Sequence, residues 1–217
     1  MGIYYDWVNL DKKEFICPND FNQGNKVYET TAIRNPFLGA LYDLLASDWR
    51  GDTLIFLGDD VPIPDSCDKP VLHRLHADWK ASGQTGTDWD YVYETYHNIS
   101  GLYKASESEV RNELNYKIEN NDWEFDEYKV DPNDPFNGLF VREPRFFRYT
   151  VNHTKREYID IDALPSPYNP LPVLLAFPGR EEEFTGNWLG DELEVSESLP
   201  PADYKDMSQA YGFHLWA

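Results

Sequence analysis

The chain has 217 residues, 41% of them hydrophobic and 16% aromatic, and its 39 Asp and Glu against 19 Lys and Arg give a formal net charge of -20. That length and apolar content suffice to bury a core, which excludes disorder as the native condition. A field of that sign repels phosphate backbones and anionic headgroups, so ordinary nucleic-acid binding and membrane docking start at a disadvantage.

In chain order, the start MGIYYDWVNLDKKEF has neither a basic n-region nor an apolar h-region, and no later run reaches the apolar length that spans a bilayer. Cys17 and Cys67 lie in unrelated contexts without CxxC spacing, as free thiols do. A cytoplasmic location is the expectation. VNLDKKEFI, residues 8–16, reads as a β-hairpin: aromatic and β-branched letters lead into a polar turn over Asn9 to Lys12, and an alternating strand returns. Asn35-Pro36 supplies an N-cap and a first-turn proline, with Phe37, Leu38, Leu41, Leu44 and Leu45 on one helical face behind it. In Trp49-Arg50-Gly51-Asp52 the Gly and Asp suit a tight entry into Thr53 to Leu57, a nearly all-apolar run of the kind found in central strands.

Residues 67–144 read mainly as helices. Val71, Leu72 and Leu75 start one, and Trp89, Val92, Tyr93 and Tyr96 line another with Asp88 as its cap. Ser106 to Glu109 is a capping-box pattern, and DWEFDEYKV, residues 122–130, alternates as a strand before the loop DPNDPFNG. VNHTKREYI, residues 151–159, then repeats the opening hairpin: Val, Asn, Lys, Glu and Ile recur in order. Pro170 and Pro172 shorten the helix that follows. Trp188, Gly190, Asp191 and Leu193 repeat Trp49, Gly51, Asp52 and Leu54, and the Glu residues alternating after them suit a half-exposed edge strand. The tail opens on a proline break and predicts one short helix.

Two ordered matches on nearly one diagonal predict an internal duplication. The expected fold class is α+β: a mixed or antiparallel sheet with packed helices, in one compact domain overall. Residues 1–66 form the first hairpin-helix-strand unit, 67–144 a mainly helical insertion, 145–199 the second unit and 200–217 a C-terminal tail. VNLDKKEF and WRGDTLIFLGD, within roughly the first 60 residues, resemble the VNxDKxEY hairpin and WxGDx[IL]xxxGD segment of a set of uncharacterised, mostly bacterial small proteins. That resemblance implies an intracellular α+β module and carries no activity or catalytic residue with it.

Three constellations bear on chemistry. His73, His76 and Asp78 place two imidazoles and a carboxylate at adjacent helical positions, as a zinc or iron site needs. Asp59 and Asp60 follow the apolar strand, where sheet edges often hold acid/base groups. Asp52 and Asp191 would converge if the two units were related by a twofold, although an Asx turn is the commoner use of Asp beside Gly. No GxSxG, P-loop, GxGxxG or HExxH occurs, and no cofactor is implied.

The expected function is therefore binding: an acidic cytoplasmic module, like an immunity protein or a phage inhibitor, that presents carboxylates to a protein with a basic surface. Trp123, Phe125 and Tyr128, interleaved with Asp126 and Glu127, best fit a surface in which charge steers and rings anchor. The alternative is a metal-dependent hydrolase or other enzyme using Asp52, Asp59 and His73 or His76.

Overall fold

A computed structural model describes residues 2–21, 23–59, 61–67, 69–103, 142–179 and 183–213. The expected capping box at Ser106, the strand at 122–130 and Asp60 lie outside them. The fold is α+β, with two mixed sheets and packed helices. Among the described residues no helix is long and apolar enough to cross a membrane.

The first hairpin pairs β1 (Tyr5–Asn9) with β2 (Glu14–Ile16), Asn9 opposite Glu14. Its turn forms because the Asn9 side-chain oxygen accepts from the backbone N–H groups of Asp11 and Lys12, both at 2.9 Å. The chain re-enters β2 through Lys13 at φ 56°, a left-handed residue that closes a four-residue loop. The second hairpin, β5 (Tyr149–Asn152) and β6 (Glu157–Asp160), has the same register, with Asn152 opposite Glu157. Asn152 accepts from Lys155 N–H at 2.9 Å, and Arg156 takes φ 54°.

Each hairpin gains a third strand after a Trp-x-Gly-Asp turn: β3 (Leu54–Gly58) pairs antiparallel with β1, and β8 (Leu193–Ser196) with β5. Gly51 and Gly190 both adopt φ 78°, which a side chain would strain. A fourth, parallel strand flanks each hairpin on its other side, β4 (His97–Asn98) on β2 and β9 (Lys205–Asp206) on β6. Just beyond it Ser100 Oγ accepts from Cys17 N–H at 2.9 Å, and Ser208 Oγ from Asp160 N–H at 2.8 Å. The stretch expected as mainly helical thus contributes a strand at His97–Asn98, where none was expected. The tail, expected as a short helix, does so too.

The helices differ. α1 (Pro36–Ala46) is capped by Asn35, whose side chain accepts from Phe37 N–H at 2.8 Å. Its counterpart α4 (Leu171–Leu174) begins in the same way, with Asn169 accepting from Leu171 N–H at 2.9 Å, but lasts only four residues. The chain then leaves through β7 (Ala176–Phe177), which pairs parallel with β3 before the turn into β8. The sheet orders are β4-β2-β1-β3-β7 and β8-β5-β6-β9.

One hydrophobic core joins the two hairpin regions: Trp7, Phe37, Leu41, Trp49 and Phe56 share it with Ile159, Leu171, Trp188 and Val195. Tyr42 crosses the same boundary. Asn169 Nδ2 donates to its hydroxyl at 2.6 Å, which leaves the hydroxyl proton for Thr150 Oγ1 at 2.8 Å. A second core on the opposite face of the first sheet packs Val8, Ile55 and Leu57 against Val71, Leu75 and Val92 of α2 (Pro70–Ser82) and α3 (Asp88–Thr95). Both faces of β3 are therefore buried, the physical reason for its unbroken apolar run. Glu194 stands where Ile55 stands in the first unit and is about one-third exposed, so β8 alternates instead.

The start of α3 corrects its expected cap. Thr87, not Asp88, caps the helix, with Thr87 Oγ1 accepting from Asp90 N–H at 3.1 Å and Asp90 Oδ2 from Thr87 N–H at 2.7 Å. Asp88 turns inward and accepts from Ile63 N–H at 2.7 Å.

Candidate binding cleft

The letters that recur between the two hairpins build a clasp rather than a reactive centre. Asn9 Nδ2 donates to Asp52 Oδ2 at 2.8 Å, Lys12 pairs with the same oxygen at 2.8 Å, and Trp49 Nε1 donates to Glu14 Oε2 at 2.7 Å. In the second unit Asn152 donates to Asp191 at 2.8 Å, Lys155 lies 3.7 Å from that carboxylate, and Trp188 Nε1 donates to Glu157 at 3.0 Å. The Nζ of Lys12 also reaches the carbonyl of Asp48, and that of Lys155 the carbonyl of Asn187. Asp52 and Asp191 are each engaged inside their own unit, fixing the Trp-x-Gly-Asp turn to the hairpin loop. The convergent carboxylate pair does not form.

The histidines are separated as well. His73 is exposed on α2. His76 turns to two other carboxylates, Nδ1 at 2.9 Å from Asp88 and Nε2 at 3.0 Å from Asp65, with the Trp79 ring tilted against its own at 5.0 Å. Lys80 pairs with Asp65 too. The structure thus gives His76 partners other than His73 and Asp78. Among the described residues no group of three or more His, Cys, Asp or Glu is arranged to hold a metal ion. Trp123, Phe125, Asp126, Glu127 and Tyr128 lie outside the described residues.

What the structure does assemble is a cleft of about 370 Å³ at the open end of the first hairpin. Asp6, on the same face of β1 as Val8, lines it and is only 7% exposed. Cys17 and Asp20 follow β2, Asp59 follows β3 and Asn98 comes from β4. Trp89 and Tyr93, one turn apart on α3, stack at 5.2 Å and form one wall, and Tyr93 is 62% exposed. Tyr4 and Phe15 complete the aromatic lining. The polar groups are held in place. Trp89 Nε1 donates to Asp6 Oδ2 at 3.2 Å, Asn98 Nδ2 to Asp20 Oδ2 at 3.1 Å, and Tyr4 N–H to Asp59 Oδ1 at 2.8 Å.

Burial pushes the Asp6 carboxyl up to about 7, with Asp20 and Asp59 raising it further and hydrogen bonds from Cys17 and Trp89 acting the other way. Burial, followed by the field of Asp6 and Asp20, pushes the Cys17 thiol far above its ordinary value. It is therefore no nucleophile at neutral pH. A carboxyl near neutrality beside rings, further carboxylates and neutral amides suits the recognition of a cation. Sequence reasoning passed over this place, although Asp6 is the one charged letter among the aromatic and branched residues of YYDWV, and a charge inside a strand with both faces buried is a signal. Compared with protein-family models, with curated proteins and with solved structures, the chain has no match in any of the three.

Proposed function

We propose that this chain is an acidic, cytoplasmic protein-binding module that works as an immunity protein or inhibitor does, presenting carboxylates to a partner with a basic surface. The observation that carries the reading is the cleft: Asp6, Asp20 and Asp59 converge beside the exposed ring of Tyr93, and none of the described residues lining it is Lys or Arg. The net charge of -20 supplies long-range steering toward a basic surface. Steering and anchoring make separate demands, because charge accelerates encounter while buried rings hold the complex.

Capture from the native cell with the wild-type chain and with Tyr93→Ala as baits tests this. The partner retained should be basic, and its complex should weaken as salt rises from about 0.05 to 0.5 M, where the screening length falls from over 10 Å to under 5 Å. An acidic partner, or a complex indifferent to salt, would sink the reading.

A further inference from the structure

The open ends of the two hairpins carry related side chains in different arrangements, and the second holds a guanidinium supplied by the chain itself. At the second, Arg148 donates through Nε to Asp160 Oδ1 at 3.0 Å and through Nη2 to Asp160 Oδ2 at 2.8 Å, a two-pronged pairing. Asp162 lies 3.4 Å from the same guanidinium, whose carbon sits 5.0 Å from the centre of the Tyr149 ring. Tyr149 and Asp160 are register partners one step beyond Thr150 and Ile159. One step beyond the matching pair of the first hairpin, Trp7 and Ile16, come Asp6 and Cys17. There too a carboxylate stands beside rings at the hairpin mouth, but the chain places Tyr5, not an arginine, at the position of Arg148.

From this juxtaposition we infer that the first cleft receives an arginine side chain of the protein partner, its guanidinium lying on Asp6 against the stacked wall of Trp89 and Tyr93, with Tyr4 at the rim. The inference rests on the binding reading above and names the chemistry of its site. Three properties select a guanidinium over an ammonium: its planar face stacks on aromatic rings, its forked donors match a carboxylate, and its weaker hydration lowers the cost of entering a cleft whose carboxylate is nine-tenths buried. An anion is excluded by Asp20 and Asp59.

The Asp6 carboxyl, raised to about 7, then couples binding to pH. A guanidinium favours the carboxylate, so binding below neutrality must displace a proton and weakens as pH falls. The groups facing Asp6 are Cys17 and Asp20 beyond β2, Asp59 just after β3 and Trp89 on α3, with Tyr4 and Tyr93 at the rim. Cys17 stays a thiol across this range, because its own shift is upward.

The test uses the full chain with N-acetyl-arginine methylamide as probe and its citrulline and lysine analogues as controls. The readout is the NMR signal of the Trp89 indole N–H, which donates to Asp6. The arginine probe should shift that signal saturably and the citrulline analogue should not. Tyr93→Ala and Asp20→Asn should each weaken binding, by up to about tenfold, and affinity should rise several-fold between about pH 6 and pH 8. No shift, or an equal response to citrulline, would overturn the site, and an equal response to the lysine analogue would overturn the choice of guanidinium. If a basic partner is captured whose binding ignores both Tyr93→Ala and competing arginine probe, the site fails and the functional reading stands. If the probe binds at Asp6 while no basic protein is captured, the reverse holds.

Discussion

Replacing Asp6 by Asn offers a direct measure of the buried charge. Asp6 is 7% exposed, and its carboxyl is raised from 3.8 to about 7. An acid whose folded value is raised binds more protons folded than unfolded between those two values, so stability falls as pH rises from about 4 through about 7, and the loss is complete above that. Between about pH 5 and pH 8 the integrated loss is about 2–3 kcal/mol, the unfolded chain being already ionised at the lower pH while the folded one ionises in between. Asp6→Asn keeps an acceptor for Trp89 Nε1–H and carries no proton to release. Urea unfolding of both chains at about pH 5 and pH 8 isolates the effect, because every other titrating group is common to both. The wild type should lose about 2–3 kcal/mol more than the variant over that interval. Parallel pH dependence would refute the reasoning, since Asp6 would then have the same proton occupancy folded and unfolded.

The clasp and its turns make two further predictions. Asn9→Ala and Asn152→Ala each remove the acceptor of a turn amide and the donor to a part-buried carboxylate, so each should cost about 1–3 kcal/mol in equilibrium unfolding, and a loss below about 0.5 kcal/mol would make the clasp incidental. Gly51→Ala and Gly190→Ala impose the same left-handed strain of about 1–2 kcal/mol, but the added carbon meets nothing within 4 Å at Gly51 and meets Val71 at 3.2 Å at Gly190, so the second should lose measurably more; equal losses would show that α2 gives way.

Local chemistry was legible in the sequence wherever a letter does its work close at hand. The Asn turns, the Asn35-Pro36 cap, the central run of β3 and the shortened helix at Pro170 and Pro172 follow from rules acting over a few residues, and they stand where expected. Thr87 was missed as a cap because Asp88 fits the same rule one position on, and only the burial of Asp88 under Ile63 decides between them. β4 and β9 were missed because two residues carry no periodicity and are strands only by lying along a hairpin edge. The candidate site turns on the same distinction between near and distant partners. Helical spacing placed His73, His76 and Asp78 near one another, yet long-range partners, Asp65 and Asp88, fix where the His76 ring points. Asp6, Asp20, Asp59, Trp89 and Asn98 come from five places in the chain, and nothing in their spacing announces that they meet.

The surplus of acid takes on a different meaning once individual pairs are followed. Lys12, Arg74, Arg148 and Lys155 each neutralise a carboxylate of the chain itself, and Arg142 and Arg145 share Asp43, which is 5% exposed. These six of the 19 Lys and Arg are therefore occupied within the chain, holding turns and helix flanks, and contribute little attraction to an acidic partner. Surface pairs of this kind add little stability one by one. Each pair cancels one charge of either sign, so the outward field is set by the excess of Asp and Glu, and its negative sign favours the approach of a basic surface. Steering alone cannot choose among basic surfaces, because every one of them feels the same field. Selection requires a place where a cation must shed water and meet fixed geometry, and the mouth of the first hairpin has the two features that demand this: a carboxylate nine-tenths buried, and rings held at stacking distance by one turn of α3.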